Sequence, residues 1–131
     1  MTTPEILALF TQVTTDLLWS SESDYPFEIV TWERGEDLDP TALFNKLAKS
    51  NDAIETITLA DFFAPALKVE GWYESDELAL VNRYTDLFHA IESNLSDVKV
   101  FRVGEVEIAI YIIGKTFSGD IIGLRTDVVE T

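Results

Sequence analysis

The chain has 131 residues, 47% of them apolar and 25% charged, with 24 acids against 9 bases and a formal net charge of −15. That length suits one domain, spanning residues 1–131, with a real core, and the apolar share excludes a disordered acidic tail. The charge repels nucleic acid and anionic membranes and speeds encounter with basic partners, although acidity also serves solubility alone; the lack of cysteine excludes disulfides and thiolate metal sites.

The N-terminal MTTPEILALF has no basic n-region and carries Glu5 early, so it does not read as a signal peptide. No apolar run approaches the ~18 residues that a membrane helix needs. The expectation is a cytoplasmic protein with no membrane partner, in which the Asn94-Leu95-Ser96 sequon carries no meaning.

Thr3 before Pro4 predicts a helix start, a capping hydroxyl followed by proline in the first turn. Ile6, Leu9, Phe10, Val13 and Leu17 follow at helical spacing, and the helix is expected to run to about Leu18. Residues 20–28 read SSESDYPFE and predict an exposed loop. In it Glu22 and Asp24 stand among small hydroxyl residues, and Tyr25-Pro26 stiffens the exit because proline fixes its own φ and extends the residue before it. A carboxylate on a stiff loop is presented at little entropic cost, which suits a group that enters another molecule's pocket.

Residues 27–32 are rich in β-formers and predict a strand; 33–39 form a polar loop; Asp39-Pro40 predicts a short helix with Leu43, Phe44 and Leu47 on its apolar face. Ile54, Ile57 and Leu59 predict a second strand, and residues 61–67, with Pro65, a short helical turn. Ser75, with Asp76 and Glu77, predicts the start of a long helix that buries Leu78, Val81, Tyr84, Thr85, Phe88 and Ile91 and stops near Asn94. The remainder predicts a meander: a strand over 98–103, a two-residue turn at Gly104-Glu105, a central strand over 106–113, a turn over 114–119 and a last strand over 121–129. In the central strand Ile108, Ile110 and Ile112 alternate with Ala109, Tyr111 and Ile113, so both faces are apolar and both are expected to be covered. The fold class expected is α/β (α+β): a three-layer α/β/α sandwich with a mixed sheet that ends in an antiparallel meander.

Catalytic chemistry finds little support. His89, the only histidine, sits beside Phe88 and Ala90 and reads as a half-buried or surface helix residue before it reads as a base. No serine stands in a G-x-S-x-G elbow, and the six glycines never cluster into a phosphate cradle. The acid pairs Glu22 with Asp24, Asp37 with Asp39 and Glu74 with Asp76 lack the pattern of a calcium loop, so no metal or cofactor is expected. Trp72-Tyr73, after Gly71, is either a core plug or an interface anchor; the flanking Glu70 and Glu74 shift the balance towards an interface. The last residues, Val128-Val129-Glu130-Thr131, run straight off a strand and read as a frayed end or as a second presentable anion.

SESDYPFE at 21–28 and the terminal VVET at 128–131 are together specific, though either alone is weak. LLWSSESDYPFEIVTW at 17–32, GWYESDE at 71–77 with the long helix through IESNL, VFRVGEVEIAIYIIGKT at 100–116 and GDIIGLRTDVVET at 119–131 resemble the nuclease A inhibitor family, while 33–70 match it poorly. The resemblance implies a three-layer α/β/α sandwich, no enzymatic activity, no cofactor, and a 1:1 complex with a basic, sugar-non-specific, metal-dependent nuclease by a protein that is monomeric when free. By position, the family's loop acid, which reaches the nuclease's metal centre, falls on Glu22 between Ser21 and Ser23. The terminal residue that enters the same active site falls on Thr131, and the interface tryptophan on Trp72. Glu70 stands where the family has glutamine. The implied nuclease-binding set is therefore Glu22, Ser21, Ser23, Asp24, Glu70, Trp72, Tyr73, Glu130 and Thr131. Two other readings compete: an acidic adaptor of the same fold that binds a different basic protein, motivated by the divergent 33–70, and a metal-dependent hydrolase that uses the clustered acids.

Overall fold

The structure is a computed structural model and describes residues 2–20, 24–31 and 54–130. Helix α1 (Thr3–Thr14) is capped one residue earlier than expected, at Thr2. The Glu5 N–H donates to Thr2 Oγ1 (3.4 Å) and the Thr2 N–H donates to Glu5 Oε1 (3.2 Å), a reciprocal box that satisfies two otherwise orphaned donors. The helix also stops before Leu18. The Thr11, Thr14 and Thr15 hydroxyls each donate to a carbonyl four residues back, at 2.9, 2.6 and 2.6 Å. Such bonding, by β-branched residues with poor helix propensity, weakens the final turn. Asp16 then takes φ 58, the Leu17 N–H donates to the Thr14 carbonyl (3.1 Å), and Leu17 enters the core from outside the helix.

The segment expected as a loop is a hairpin stem. Strand β1 (Leu18–Ser20) pairs antiparallel with β2 (Asp24–Pro26) in the register Leu18↔Pro26, Trp19↔Tyr25, Ser20↔Asp24. Pro26 closes β2, where its missing N–H costs the ladder nothing.

A five-stranded sheet follows in the order β3-β7-β6-β5-β4: β3 (Glu28–Thr31), β4 (Ile54–Ile57), β5 (Ser96–Val103), β6 (Glu107–Lys115) and β7 (Ile121–Val129). Each of its four pairings among the described residues is antiparallel, in place of the mixed sheet expected. The meander otherwise follows the predicted order, but β5 begins two residues earlier than expected, β6 runs on through Gly114 and Lys115 where a turn was expected, and the β5–β6 connection also differs. Gly104 takes φ 116, but the strands resume only at Glu107, so the turn is longer than two residues. Gly123 is required by packing: a Cβ there would lie 1.9 Å from the Ile112 carbonyl oxygen.

Helix α2 (Leu59–Leu67) is a full nine-residue helix where a short turn was expected, because Thr58 caps it by accepting from the Asp61 N–H (3.0 Å). Helix α3 (Ser75–Asn94) has the predicted bounds, but its cap is Glu74, whose N–H donates to Glu77 Oε2 (3.0 Å); Ser75 is already helical.

The fold is α+β, with three helices packed against the sheet. Ile6 and Phe10 of α1, Leu59, Phe62 and Phe63 of α2, and Tyr84, Leu87 and Ile91 of α3 share one cluster with Val100, Ile108, Ile110, Ile112, Ile122, Leu124 and Val128 of the sheet. The opposite face carries a second cluster, Phe101, Ile113 and Ile121, with Val103 and Tyr111 against it. The central strand is therefore buried on the helix side, through Ile108, Ile110 and Ile112, while on the other side Ile113 is buried and Ala109 and Tyr111 are half-buried. The short helix expected around Leu43, Phe44 and Leu47 lies outside the described residues. No helix of the described residues is long and apolar enough to cross a membrane.

Candidate functional site

Register decides which functional residues can act together. Glu28 pairs with Arg125, and the Thr126 hydroxyl donates to the Pro26 carbonyl (3.0 Å). The chain running back from Glu28 to Asp24 therefore follows β7 towards Val129. The hairpin stem opens, past the Ser20↔Asp24 pair, at the same end of the sheet where β7 runs out. Ser21, Glu22 and Ser23, which link the two strands, lie outside the described residues, as does Thr131.

The aromatic pair precedes helix α3. That helix hands its C-terminus to Ser96, which pairs with Lys115 beside the β6–β7 turn. Its 20 residues span about 30 Å. The Tyr73 N–H donates to the Glu70 carbonyl (3.1 Å), turning the chain at Gly71-Trp72. Trp72 is 70% exposed with the Tyr73 ring edge-on at 4.6 Å. It is not a core plug; that place belongs to Trp19, which is 7% exposed. The Glu70 carboxylate is engaged by Lys68 at 3.2 Å.

The segment after β7 is held, not frayed, as far as Glu130. The Glu130 N–H donates to the Val106 carbonyl (2.9 Å) in the β5–β6 connection. Its carboxylate meets Arg102 Nη2 at 2.6 Å, and the Arg102 side chain, 20% exposed, also lies 3.9 Å from Glu55. A charge-assisted bond to a guanidinium whose stem is packed fixes direction better than one between two free side chains.

Electrostatics at this end are one-sided. Among the described residues, Asp24, Glu74 and Asp76 are exposed, whereas Lys68 is engaged by Glu70, Arg102 by Glu130 and Glu55, and Arg125 by Glu28 (3.9 Å) and Asp127 (3.3 Å). Among the described residues no group of three or more His, Asp or Glu side chains is placed to hold a metal ion, and His89 is exposed on α3, with the Phe88 ring 5.8 Å away.

Asp24 and Glu130 thus lie towards the end of the sheet where β7 runs out, whereas Glu70, Trp72 and Tyr73 stand just before the first turn of α3. Sequence reasoning passed over Arg102, whose role depends on a register between distant strands, and over the pairing of Trp19 with Tyr25. The second had a visible signal, two large aromatics placed symmetrically about Ser-Glu-Ser.

The chain matches none of the curated proteins. Its residues 4–131, nearly the whole length, match the family described as nuclease A inhibitor-like protein, and to that family the chain belongs.

Proposed function

We propose that this protein is a stoichiometric, non-enzymatic inhibitor of a sugar-non-specific, metal-dependent nuclease, and that it binds as a 1:1 complex through the hairpin end of the sheet. Glu22 enters the nuclease cleft. Its two carboxylate oxygens replace phosphodiester oxygens near the partner's cation, and no scissile bond accompanies them. Ser21, Ser23 and Asp24 line the approach of Glu22. Trp72 and Tyr73 supply desolvated contact area, Glu70 stands on the rim, and Glu130 directs Thr131 into the same cleft.

The observation that supports this most is the paired stem, Ser20↔Asp24 and Trp19↔Tyr25, on either side of residues 21–23 in a chain of this family. A stem with a buried tryptophan fixes where its connection emerges, so little entropy is lost on docking. The acid excess around it suits a nuclease groove built to hold a polyanion.

The test is a cleavage assay against a basic, metal-dependent nuclease. Wild-type protein in molar excess is expected to stop cleavage, and Glu22→Ala to weaken inhibition by roughly 30-fold or more, the range of an interface hot spot. Undiminished cleavage with the wild-type protein overturns the inhibitor reading. Inhibition that survives Glu22→Ala overturns only the part given to that residue.

A further inference from the structure

Strands β5 and β7 are not neighbours. Strand β6 lies between them, so their backbones run about 10 Å apart. Where β7 runs out, a side chain nevertheless ties one to the other: Arg102 Nη2 lies 2.6 Å from the Glu130 carboxylate. Alternation along the strands explains how. Val100 of β5 and Val128 of β7 are buried in the cluster under the helices, so Arg102 and Glu130, each two residues further along the chain, project from that same face. Ile108 and Ile110 of β6 fill the space between, paired with Val128 and Arg102. Only long side chains can meet across them.

Glu130 is gripped a second time, through its backbone. Its N–H donates to the Val106 carbonyl at 2.9 Å, one step beyond the last strand pair, Glu107↔Val129. That carbonyl belongs to the β5–β6 connection, whose shape is constrained. Gly104 takes φ 116, and a Cβ there would lie 2.3 Å from the Glu107 carbonyl oxygen, so glycine is required. The Arg102 stem is packed, which leaves the guanidinium little freedom of its own. Glu55 approaches the same guanidinium from β4, but only to 3.9 Å and from a largely exposed position.

We infer that Arg102 is a positioning residue for nuclease binding: it holds Glu130 so that Thr131, the next residue, is offered to the nuclease in a fixed place. The inference rests on the inhibitor reading above and adds a residue that acts through Glu130 without itself entering the cleft. Consecutive Cα atoms are about 3.8 Å apart, so freedom at Glu130 passes almost undiminished to Thr131. Holding Glu130 by both its N–H and its carboxylate removes that freedom in the unbound protein, and freedom already removed is not lost on docking. An ion pair with an exposed partner contributes little to overall stability, so the clamp supplies place more than stability.

Inhibition of a basic, metal-dependent nuclease by a set of variants tests this. Arg102→Met and Glu130→Gln are each expected to weaken inhibition about tenfold, through faster dissociation and with the urea midpoint little changed. Together they are expected to cost no more than the larger single loss, because both break one contact. Glu55→Gln removes the same charge from beside the same guanidinium and is expected to leave inhibition intact, which separates the clamp from general acidity. In a chain that ends at Glu130, Arg102→Met is expected to have no further effect. Full inhibition by folded Arg102→Met, equal losses from Glu55→Gln and Glu130→Gln, or an Arg102→Met loss undiminished without Thr131 overturns the positioning role. Should Arg102→Met lose its fold, the comparison of Glu130→Gln with Glu55→Gln decides alone. A wild-type protein that inhibits no nuclease overturns the reading beneath and the clamp's role with it, an outcome visible before any variant is made.

Discussion

Trp19 shows how much one side chain organises. Its ring stacks on Phe62 at 4.3 Å and meets Phe63, Tyr84 and Phe27 edge-on at 5.6, 5.4 and 6.1 Å. Helix α2, helix α3, the hairpin and the entry to β3 thus converge on one indole. Aromatic pairs in these geometries add to simple area burial. Trp19→Ala is expected to cost about 3–5 kcal/mol of stability, read from urea unfolding, whereas Trp72→Ala is expected to stay within about 0.5 kcal/mol. The sequence singled out Trp72 because an aromatic neighbour and two acids stand beside it in the chain. Trp19 gave no such sign, since three of its four ring partners, Phe62, Phe63 and Tyr84, come from positions more than 40 residues away. Local spacing reports neighbours along the chain, and a core is made of neighbours across it.

The same limit governs the elements. The bounds of α3 and of β7 were legible because helical and alternating patterns there are long and cleanly capped. The end of α1 was not, because Leu17 keeps the helical spacing after the backbone has left the helix at Asp16. The hairpin stem was hidden by its own composition: serines, acids and a proline serve a turn and a short strand end equally well. Helix α1 also carries a pH signature. Glu5 lies below the usual carboxylate range because it accepts hydrogen bonds from the Thr2 backbone N–H and then from the Thr2 hydroxyl. A folded-state pKa below the unfolded one gives stability that is present above the unfolded value and is lost as pH falls through the folded one. Protection of the first-turn amides of α1, measured relative to their intrinsic exchange at each pH, is therefore expected to fall at acid pH, and Glu5→Gln to remove most of that dependence. A first turn equally protected at pH 3 and pH 7 would contradict the capping box. At its other contact the same turn is held by the Thr3 hydroxyl, which donates to Asp120 Oδ2 at 2.5 Å beside the β6–β7 turn.

At the scale of the whole molecule, charge and shape divide the work. With a net charge of −15 and the bases at the hairpin end already engaged, long-range attraction to a basic partner is undirected until short-range features orient it. Electrostatic steering acts chiefly on the association rate and is screened by salt. Association with a basic nuclease is expected to slow by on the order of tenfold or more between low and high ionic strength, with dissociation changing far less. Stopped-flow binding at several salt concentrations measures both, and a flat association rate would remove the acidic body from the mechanism. This charge, the antiparallel meander and the family resemblance were all legible in the sequence, because each is a property of composition or of contiguous segments. The end shared by Asp24 and Glu130 was not, because it follows from two registers, Ser20↔Asp24 and Glu28↔Arg125.

The two tryptophans described above have opposite environments, one 7% and the other 70% exposed. An aqueous quencher such as acrylamide reaches the second and not the first. Blue-shifted, protected emission from Trp19 then follows the integrity of the core, while loss of quenching at Trp72 follows occupation of the surface around it. The chain has three tryptophans, so replacing Trp32 with phenylalanine leaves these two signals to be read alone. The chain thus carries, without any attached dye, separate optical records of being folded and of being bound.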